Sequence, residues 1–409
     1  MLTVNYKLME QEFDATLTGS DSPIEGIARR IYNSGYLDAY DFKSIDETIH
    51  LVIAQENDGH WIRIGGTDPY LAGWVDELAE QANRSPKLNT EGGLMDKREL
   101  GTSNIRIRPF AFGGNVFGWT VDQAQSFRIL DAFIDSGFDC IDTADVYSRW
   151  VPGHSGGESE TIIGNWLKNR GRRDDVIIAT KVGKPMGDKK GLSARYIKEA
   201  VEASLTRLQT DYIDLYQSHD DDPNTPLQET LEAYSQLINE GKVRAIGASN
   251  YTAKRLREAL ETSKNYGFAS YQSLQPEYNL YDREHYEKEL EPLCREKGIG
   301  VITYYSLASG FLTGKYRSEE DLNKSKRGQG IKKYLNERGY RILNALDQVA
   351  KEYNTSPATV SMAWVIARPG ITAPIASATS VEQLHELTRA ASLNLSPEAI
   401  NLLNEASRY

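Results

Sequence analysis

The chain has 409 residues, of which 40% are hydrophobic and 26% are charged, and its formal net charge is −11 at pH 7. This composition is typical of a folded globular protein of roughly two or three domains, and it excludes collagen-like and wholly disordered classes. No segment approaches the about 18 consecutive apolar residues of a membrane-spanning helix, and no apolar signal segment opens the chain. The two cysteines, Cys140 and Cys294, are too few for a disulfide framework or a four-cysteine zinc site. We therefore expect a cytoplasmic protein without a membrane partner or a bound metal.

The negative charge is concentrated near the amino terminus. Residues 1–94 carry 16 acidic and 7 basic residues, whereas residues 95–409 carry 42 and 40. Neither part has a basic stripe, which argues against a nucleic-acid partner. The stretch 84–94 is rich in Pro, Asn, Ser and Gly, as linkers are, and Met95 follows it. We therefore predict a fusion, natural or engineered, of a small acidic α+β module (1–83) through a linker (84–94) to a second domain (95–409).

The first module reads as a mixture of strands and helices. Ser22 and Pro23 are typical of a helix start, and the pair Asp58-Gly59 is typical of a tight hairpin turn. We interpret Trp61 and Trp74 as core residues. The predicted elements are one or two strands in 2–18, a helix over 24–36, a hairpin of 48–54 with 60–64, and a helix over 69–82 with Leu71, Trp74, Val75 and Leu78 on its inner face.

The first module offers no set of side chains that suggests catalysis. We interpret His50 and His60 as solvated strand residues rather than ligands. The sequence therefore predicts no function for this module beyond a possible protein partner.

The second domain alternates short apolar runs with amphipathic helical stretches. The apolar runs are 110–113, 138–141, 176–180, 212–216, 243–246, 270–274, 300–304 and 371–375. Strands that alternate with helices pair in parallel through right-handed crossovers, and eight such units predict a (β/α)8 TIM barrel. A doubly wound sheet is the alternative, but no Gly-x-Gly-x-x-Gly follows the first strand.

Polar residues follow three successive predicted strands. Asp142 and Tyr147 come at and after the end of the second strand, Lys181 ends the third, and His219 follows the fourth. Each residue alone is commonly an ordinary buried or capping group. Because a barrel gathers the carboxyl ends of its strands at one face, the four together predict a catalytic site there.

These residues lie in motifs that resemble those of the aldo-keto reductase superfamily, over nearly all of residues 97–405. Asp142 and Tyr147 match its Asp-Thr-Ala-x-x-Tyr pattern, Lys181 its Thr-Lys pattern, and His219 the histidine after the fourth strand. Further matches are Gly247–Asn250, Gln275-Pro276, Thr303–Ser306 and Gly310–Tyr316.

The resemblance implies an enzyme that reduces aldehydes or ketones with a nicotinamide cofactor. Hydride delivery to a carbonyl carbon leaves an oxygen that needs a proton, and Tyr147, with an ordinary pKa of about 10, would donate it. Lys181 would stabilise the phenolate that results, Asp142 would hold Lys181, and His219 would orient the carbonyl oxygen.

The resemblance also implies the contacts of a bound cofactor, NADPH in preference to NADH. Ser249, Asn250 and Gln275 would bind the carboxamide, and Tyr305 would stack on the nicotinamide ring or, alternatively, pack as part of the wall. The expected contacts are Gly114, Ser249, Asn250, Gln275, Tyr305, Ser306, Leu307, Gly310, Ser377, Thr379, Gln383 and Glu386.

The position where the family often has a cation for the 2′-phosphate carries neutral residues in this chain. The residues in this stretch are Ser377, Thr379 and Gln383. Two further residues depart from the family pattern, because Leu387 stands where an Asn is usual and Leu307 stands where a Pro is often found. The insertion after the seventh strand either supplies the missing charge or is a solvated loop. The residues that could carry this charge are Arg317, Lys324, Lys326 and Arg327.

The Gly-rich stretch 148–160 directly follows Tyr147. Its Arg149, Trp150 and His154 favour a pocket for a polar, sugar-like carbonyl, and a loop that leads into a helix capped by Ser159 is equally compatible. Two alternatives to the enzyme remain: a nicotinamide-binding regulatory or adaptor protein that acts through the acidic module, and a module added for expression or crystallisation.

Overall fold

The computed structural model describes residues 7–19, 22–32, 38–56, 59–68, 71–84, 96–324 and 328–409. The chain divides into two compact units, residues 1–91 and 92–409. Apart from Arg84, the predicted linker and Met95 lie outside the described residues. Within the described ranges, no helix combines the length and the apolarity needed to cross a bilayer.

The first unit is an antiparallel sheet with one helix packed on it. The strands follow one another in the sheet in chain order: β1 (Lys7–Leu17), β2 (Ile24–Tyr32), β3 (Asp38–Ser44), β4 (His50–Gln55) and β5 (Trp61–Gly66), followed by α1 (Gly73–Arg84). Trp74, Val75 and Leu78 of α1 are buried with Leu51 and Ile53 of β4.

The predicted α+β class, hairpin and final helix are confirmed, with corrections at two residues. Leu71 precedes α1 and is 53% exposed, so it is not part of the inner face. His50 is half-buried and its Nε2 lies 2.7 Å from Asp41 Oδ1, so the interpretation as a solvated residue is wrong. His60 is exposed, and the turn residues 57–58 lie outside the described residues.

The predicted helix over 24–36 is wrong where the structure describes it, because residues 24–32 form β2. Gly26, Ala28 and Ile31 are buried and Ile27 and Arg29 are exposed, which is largely the alternation of a strand. β2 pairs with β1 on one side and with β3 on the other. This strand pairing outweighs the local preference of Ser22 and Pro23 for a helix start. Residues 33–37 lie outside the described part.

The second unit is a closed barrel of eight parallel strands, which confirms the TIM barrel over the doubly wound alternative. A hairpin of β6 (Arg98–Glu99) and β7 (Arg106–Ile107) precedes it. The barrel strands are β8 (Ala111–Gly113), β9 (Cys140–Asp142), β10 (Ile177–Val182), β11 (Ile213–Ser218), β12 (Val243–Ser249), β13 (Ser273–Gln275), β14 (Gly300–Thr303) and β15 (Ile371–Ala376), and β15 pairs with β8.

Helices connect the strands and enclose the barrel. In chain order they are α2 (Gln123–Asp135), α3 (Glu158–Arg170), α4 (Ala194–Leu208), α5 (Leu227–Asn239), α6 (Ala253–Tyr266), α7 (Glu291–Lys297), α8 (Glu337–Glu352), α9 (Pro357–Ile366), α10 (Val381–Thr388) and α11 (Pro397–Ala406). Many begin after a side chain that accepts a hydrogen bond from the first turn, such as Asp122, Ser193 and Thr252.

The amino end of the barrel is filled by apolar residues. Leu100, Ile105 and Ile107 from the β6–β7 hairpin cluster with inward residues such as Leu215 and Ile302. Cys140 belongs to this cluster and Cys294 is buried elsewhere in the barrel unit, as expected for small hydrophobic side chains. The carboxyl end is therefore the end at which polar chemistry is available.

Gly164 allows α3 and α4 to approach closely. A Cβ at this position would lie 2.1 Å from Arg207 O and 2.7 Å from the carbonyl carbon of Leu208. We expect Gly164→Ala to lower the free energy of unfolding of the barrel by about 1–3 kcal/mol, measured by urea denaturation. Gly330→Ala, where the added Cβ meets nothing within 4 Å, is the control. Equal stability of the two variants would contradict this packing argument.

Candidate active site

The barrel brings the four predicted catalytic residues together at its carboxyl end. Asp142 is the last residue of β9, and it lies beside Ala179 of the neighbouring β10. Lys181 follows two positions later on β10, and His219 directly follows β11. Tyr147 lies in the turn that follows β9.

Lys181 forms hydrogen bonds with two other members of this group, Asp142 and Tyr147. Its Nζ donates to Asp142 Oδ2 at 2.6 Å, to the Thr143 carbonyl oxygen at 2.8 Å and to the Tyr147 hydroxyl at 3.1 Å. These three bonds use all the donors of an ammonium group. The side chain of Lys181 is fully buried, so its charge depends on these partners rather than on water.

Two amide side chains support Asp142 from inside the barrel. Gln275 Nε2 donates to Asp142 Oδ1 at 2.8 Å, and Gln217 Nε2 donates to the same atom at 3.3 Å. Gln275 also donates to Gln217 Oε1 at 3.2 Å. The carboxylate is therefore held on both oxygens, which fixes the position of Lys181.

The environment keeps Tyr147 protonated and Lys181 charged at neutral pH. Burial raises the pKa of the Tyr147 hydroxyl above its ordinary value, and the nearby Lys181 opposes that rise. For Lys181 burial acts to lower the pKa, but Asp142 and Tyr147 outweigh it and raise the pKa. The sequence correctly predicts that Lys181 lowers the pKa of Tyr147. Burial has the larger effect, so the net change in the pKa of Tyr147 is a rise.

His219 faces Tyr147 with 5.9 Å between the ring centroids. Burial lowers the pKa of its imidazole well below the ordinary value, and the charges of Lys181 and Lys184 add to this effect. The ring is therefore neutral near pH 7. No described residue forms a hydrogen bond with its Nδ1, although the atom is buried. A neutral imidazole beside a proton donor can orient a polar oxygen atom of a ligand.

Sequence reasoning missed two features of the site. Gln217 lies two positions before His219, and the alternation of side chains along a strand predicts that both share one face. Trp119 lies edge to face with Trp150, at 5.5 Å between ring centroids, and Trp150 contacts Tyr147 in the same way. The pairing of two distant loops leaves no local signal for Trp119.

The residues expected to bind a carboxamide lie at the ends of neighbouring strands. Ser249 Oγ donates to the Gln275 carbonyl oxygen at 2.9 Å. Asn250 has φ of 58° and donates to the His219 carbonyl oxygen and Asp220 Oδ1, while its Oδ1 accepts from the Tyr304 hydroxyl. The side chain of Asn250 is thus engaged within the protein and shapes the site through these bonds.

The segment after β14 turns sharply at the barrel opening. Tyr305 has φ of 52° and is 49% exposed, so a face of its ring is accessible. Ser306 is buried and donates to the Thr303 carbonyl oxygen, and Leu307 precedes a turn in which Gly310 has φ of 98°. A Cβ on Gly310 would lie 3.7 Å from Lys315 Nζ, which places an ammonium group beside this backbone.

The remaining expected cofactor contacts lie around β8 and β15. Gly114 O accepts from Ser159 Oγ, Ser377 Oγ donates to Gly113 O at 2.7 Å, and Thr379 donates to Gln383 Oε1 at 2.9 Å. Glu386 lies on α10.

Two of the cations that the sequence suggests for the 2′-phosphate, Arg317 and Lys324, have carboxylate partners. Arg317 Nη2 lies 2.8 Å from Asp347 Oδ1, and Lys324 Nζ lies 2.7 Å from Asp321 Oδ1. Lys326 and Arg327 lie outside the described residues.

This donor set fits a nicotinamide dinucleotide. The donors of Ser249 and Gln275 are bonded within the protein, but their side-chain oxygens can accept from a carboxamide NH2 group. The exposed ring of Tyr305 suits stacking, and Lys315 beside Gly310 suits a phosphate. Across the described ranges, no group of three or more His, Cys, Asp or Glu residues is arranged to hold a metal ion.

For the stretch after Tyr147 the sequence leaves a sugar pocket and a helix-entry loop equally open, and the structure shows which contacts hold this loop. Arg149 Nη1 donates to the Pro185 carbonyl oxygen at 2.6 Å, and His154 Nδ1 lies 4.0 Å from Glu158 Oε1. Ser159 does not cap α3, because it lies inside the helix and donates to Gly114 O. Glu158 instead accepts from the main-chain N–H groups of Ser155 and Gly156.

Comparisons with known proteins agree with this geometry. A model of the Aldo/keto reductase family matches residues 109–408. The chain is 36% identical over 320 residues to the uncharacterized oxidoreductase YrpG of Bacillus subtilis, covering 76% of this chain and 95% of that protein. It is 36% identical over 308 residues to the aldo-keto reductase YhdN of the same organism, covering 72% and 87%. It is also 33% identical over 305 residues to a probable voltage-gated potassium channel subunit beta of Arabidopsis thaliana, covering 72% and 91%.

Proposed function

This chain belongs to the aldo/keto reductase family and is an oxidoreductase, and from that premise we propose that it reduces aldehydes or ketones to alcohols, with NADPH as the preferred cofactor. The observation that carries the proposal is the triple contact of Lys181 with Asp142, Thr143 and Tyr147. It joins a protonated phenol to a buried cation, which is the pairing that proton donation to an alkoxide requires.

The bound cofactor would supply hydride to the carbonyl carbon. Tyr147 gives its hydroxyl proton to the carbonyl oxygen, which completes the alcohol. Lys181 stabilises the phenolate that remains, and Asp142 keeps the ammonium group in place. The neutral His219 orients the carbonyl oxygen towards Tyr147 and stabilises the charge that develops on it.

The cofactor would be held by side chains that the barrel presents around the same opening. Ser249 and Gln275 would bind the carboxamide and Tyr305 would stack on the ring, while Lys315 would neutralise phosphate charge. A preference for the 2′-phosphate of NADPH would rest on Arg317 and Lys324, which would have to exchange contacts with Asp347 and Asp321.

A regulatory or adaptor role is the second candidate. Its support is the similarity to proteins named as channel β subunits in Arabidopsis thaliana and Oryza sativa. Such a role would use nicotinamide binding without turnover, and the acidic first unit would contact a protein partner. The complete set of Asp142, Tyr147, Lys181 and His219 favours the enzyme.

Nucleotide titration followed by a turnover assay separates these functions. We expect the fluorescence of the full chain to be quenched by NADPH and by NADH, with tighter binding of NADPH. We also expect the full chain to oxidise NADPH when a generic aldehyde is added. Binding without turnover on a panel of aldehydes and ketones would favour the adaptor. Failure to bind either nucleotide would contradict both candidates.

A further inference from the structure

Ser159 carries a buried hydroxyl group that the proposed mechanism does not use. It is the second residue of α3 and its side chain is fully buried. A Ser or Thr within a helix commonly bonds to a carbonyl of its own helix or of the residue just before it. Thr161, two residues later, does so, because its Oγ1 donates to the Gly157 carbonyl oxygen at 2.9 Å. Ser159 instead forms hydrogen bonds with two segments outside α3.

These two bonds connect the residues that directly follow two neighbouring barrel strands. Ser159 Oγ donates to the carbonyl oxygen of Gly114, after β8, at 2.7 Å. It also lies 2.8 Å from Oγ1 of Thr143, after β9. A hydroxyl has one proton, which Ser159 gives to Gly114, so Thr143 is the donor in the second bond. Ser159 therefore accepts from one strand end and donates to the other.

The bond to Thr143 reaches the catalytic ammonium group. The main-chain carbonyl oxygen of Thr143 accepts from Lys181 Nζ at 2.8 Å, and its main-chain N–H donates to the Ala179 carbonyl oxygen at 2.8 Å. With Oγ1 bonded to Ser159, Thr143 is held by its side chain as well as by its main chain. Ser159 therefore helps to fix the oxygen that orients Lys181.

The bond to Gly114 reaches the segment at which the cofactor is expected. The main chain of Gly114 packs so closely that a Cβ there would lie 3.0 Å from Ser159 Oγ and 3.2 Å from the Asp142 carbonyl oxygen. Gly114 is one of the expected cofactor contacts. A continuous series of buried contacts therefore joins this segment, through Ser159 and Thr143, to Lys181.

We propose that Ser159 is a positioning residue for the reduction, which fixes the Lys181 ammonium through Thr143 and the cofactor-binding main chain through Gly114. The inference rests on the proposed function. Removal of the hydroxyl takes a buried partner from both Gly114 and Thr143. Small displacements of groups that position reactants lower the rate of the chemical step, because the reaction needs the hydride donor and the proton donor in one exact arrangement.

Ser159→Ala removes both bonds. We expect kcat for reduction of a generic aldehyde to fall by about 3–10-fold and the Kd of NADPH to rise by a similar factor, with little change in KM for the aldehyde. Ser126→Ala is the matched control, because Ser126 is also fully buried in a helix and donates to a main-chain carbonyl, that of Asp122, at 2.6 Å. We expect this control to lose comparable stability in urea and to keep its kcat and its Kd for NADPH.

Thr143→Val breaks the bond to Ser159 from the other side and leaves the bond to Gly114 in place. We expect kcat to fall by a factor similar to that of Ser159→Ala and the Kd of NADPH to stay nearly unchanged. Thr143→Ser keeps the hydroxyl and is expected to retain more of kcat than Thr143→Val. In the double variant of Ser159→Ala and Thr143→Val, the loss of kcat is expected to be smaller than the product of the two single losses, because both substitutions break the same bond.

Each outcome bears on one claim. A folded Ser159→Ala variant with the kcat and Kd of the wild type overturns the inference and leaves the proposed function standing. An equal loss of activity in Ser126→Ala, or single losses that multiply in the double variant, also overturns it. If Ser159→Ala does not fold, the pair at Thr143 decides, and equal kcat for Thr143→Val and Thr143→Ser overturns the inference. A wild-type protein that binds NADPH and reduces no carbonyl overturns the proposed function and the inference with it.

Discussion

Tyr147→Phe is expected to lower the turnover of aldehydes by about 10²–10⁴-fold and to leave nucleotide binding nearly intact. The substitution removes the hydroxyl that lies 3.1 Å from Lys181 Nζ and keeps the aromatic ring that contacts His219 and Trp150. The pocket is therefore expected to keep its shape while it loses its proton donor. Steady-state kinetics and fluorescence titration on the same preparation measure the two effects.

Tyr304→Phe is the matched control for this prediction. Its hydroxyl lies at the same end of the barrel but donates to Asn250 Oδ1 rather than contacting Lys181. We expect Tyr304→Phe to retain most of the turnover. If Tyr147→Phe kept turnover within tenfold of the wild type, the general acid would have to be another group.

Lys181→Met is expected to abolish measurable turnover and to lower the free energy of unfolding by about 3–5 kcal/mol. Lys181 and Asp142 form a fully buried ion pair, and removal of the lysine leaves the charge of Asp142 with only the amides of Gln275 and Gln217. The unpaired carboxyl will tend to bind a proton, so the destabilisation is expected to decrease as the pH falls. Urea denaturation at several pH values measures this.

Lys189→Met provides the comparison for a surface ion pair. Lys189 pairs with Glu199 at 2.7 Å, but both side chains are exposed, and such pairs contribute about 0–1 kcal/mol. We expect little loss of stability and normal turnover. Equal destabilisation by the two substitutions would show that burial of the Lys181–Asp142 pair is not the source of the effect.

Much of the barrel could be predicted because its signals are local. Each of the eight strands is a short apolar run between amphipathic helices, and all eight are found within a few residues of their predicted positions. The same regularity explains why Asp142, Lys181 and His219 could be placed together from sequence. Parallel strands in a closed barrel bring their carboxyl ends to one opening, so residues about 40 positions apart become neighbours.

The parts that could not be predicted depend on contacts between distant segments. The helix expected at Ile24 is instead β2, because strands on both sides pair with it. Gln217 supports Asp142 from a different strand, and Trp119 meets Trp150 across two loops.

The net pKa shift of Tyr147 was also beyond the sequence. The sequence motif identifies Lys181 as the cation that lowers the pKa of this hydroxyl. The burial that outweighs Lys181 is a property of the folded barrel and cannot be read from the motif.

Transfer of an isotopic label tests the central claim most directly. NADPH that carries deuterium at the reactive C4 position is mixed with the full chain and an aldehyde, and the alcohol product is examined by mass spectrometry and NMR. We predict one deuterium on the carbinol carbon of the alcohol and almost no product with Tyr147→Phe. Alcohol without the label, or no alcohol from any aldehyde or ketone in the presence of bound NADPH, would contradict the assignment of this barrel as a carbonyl reductase.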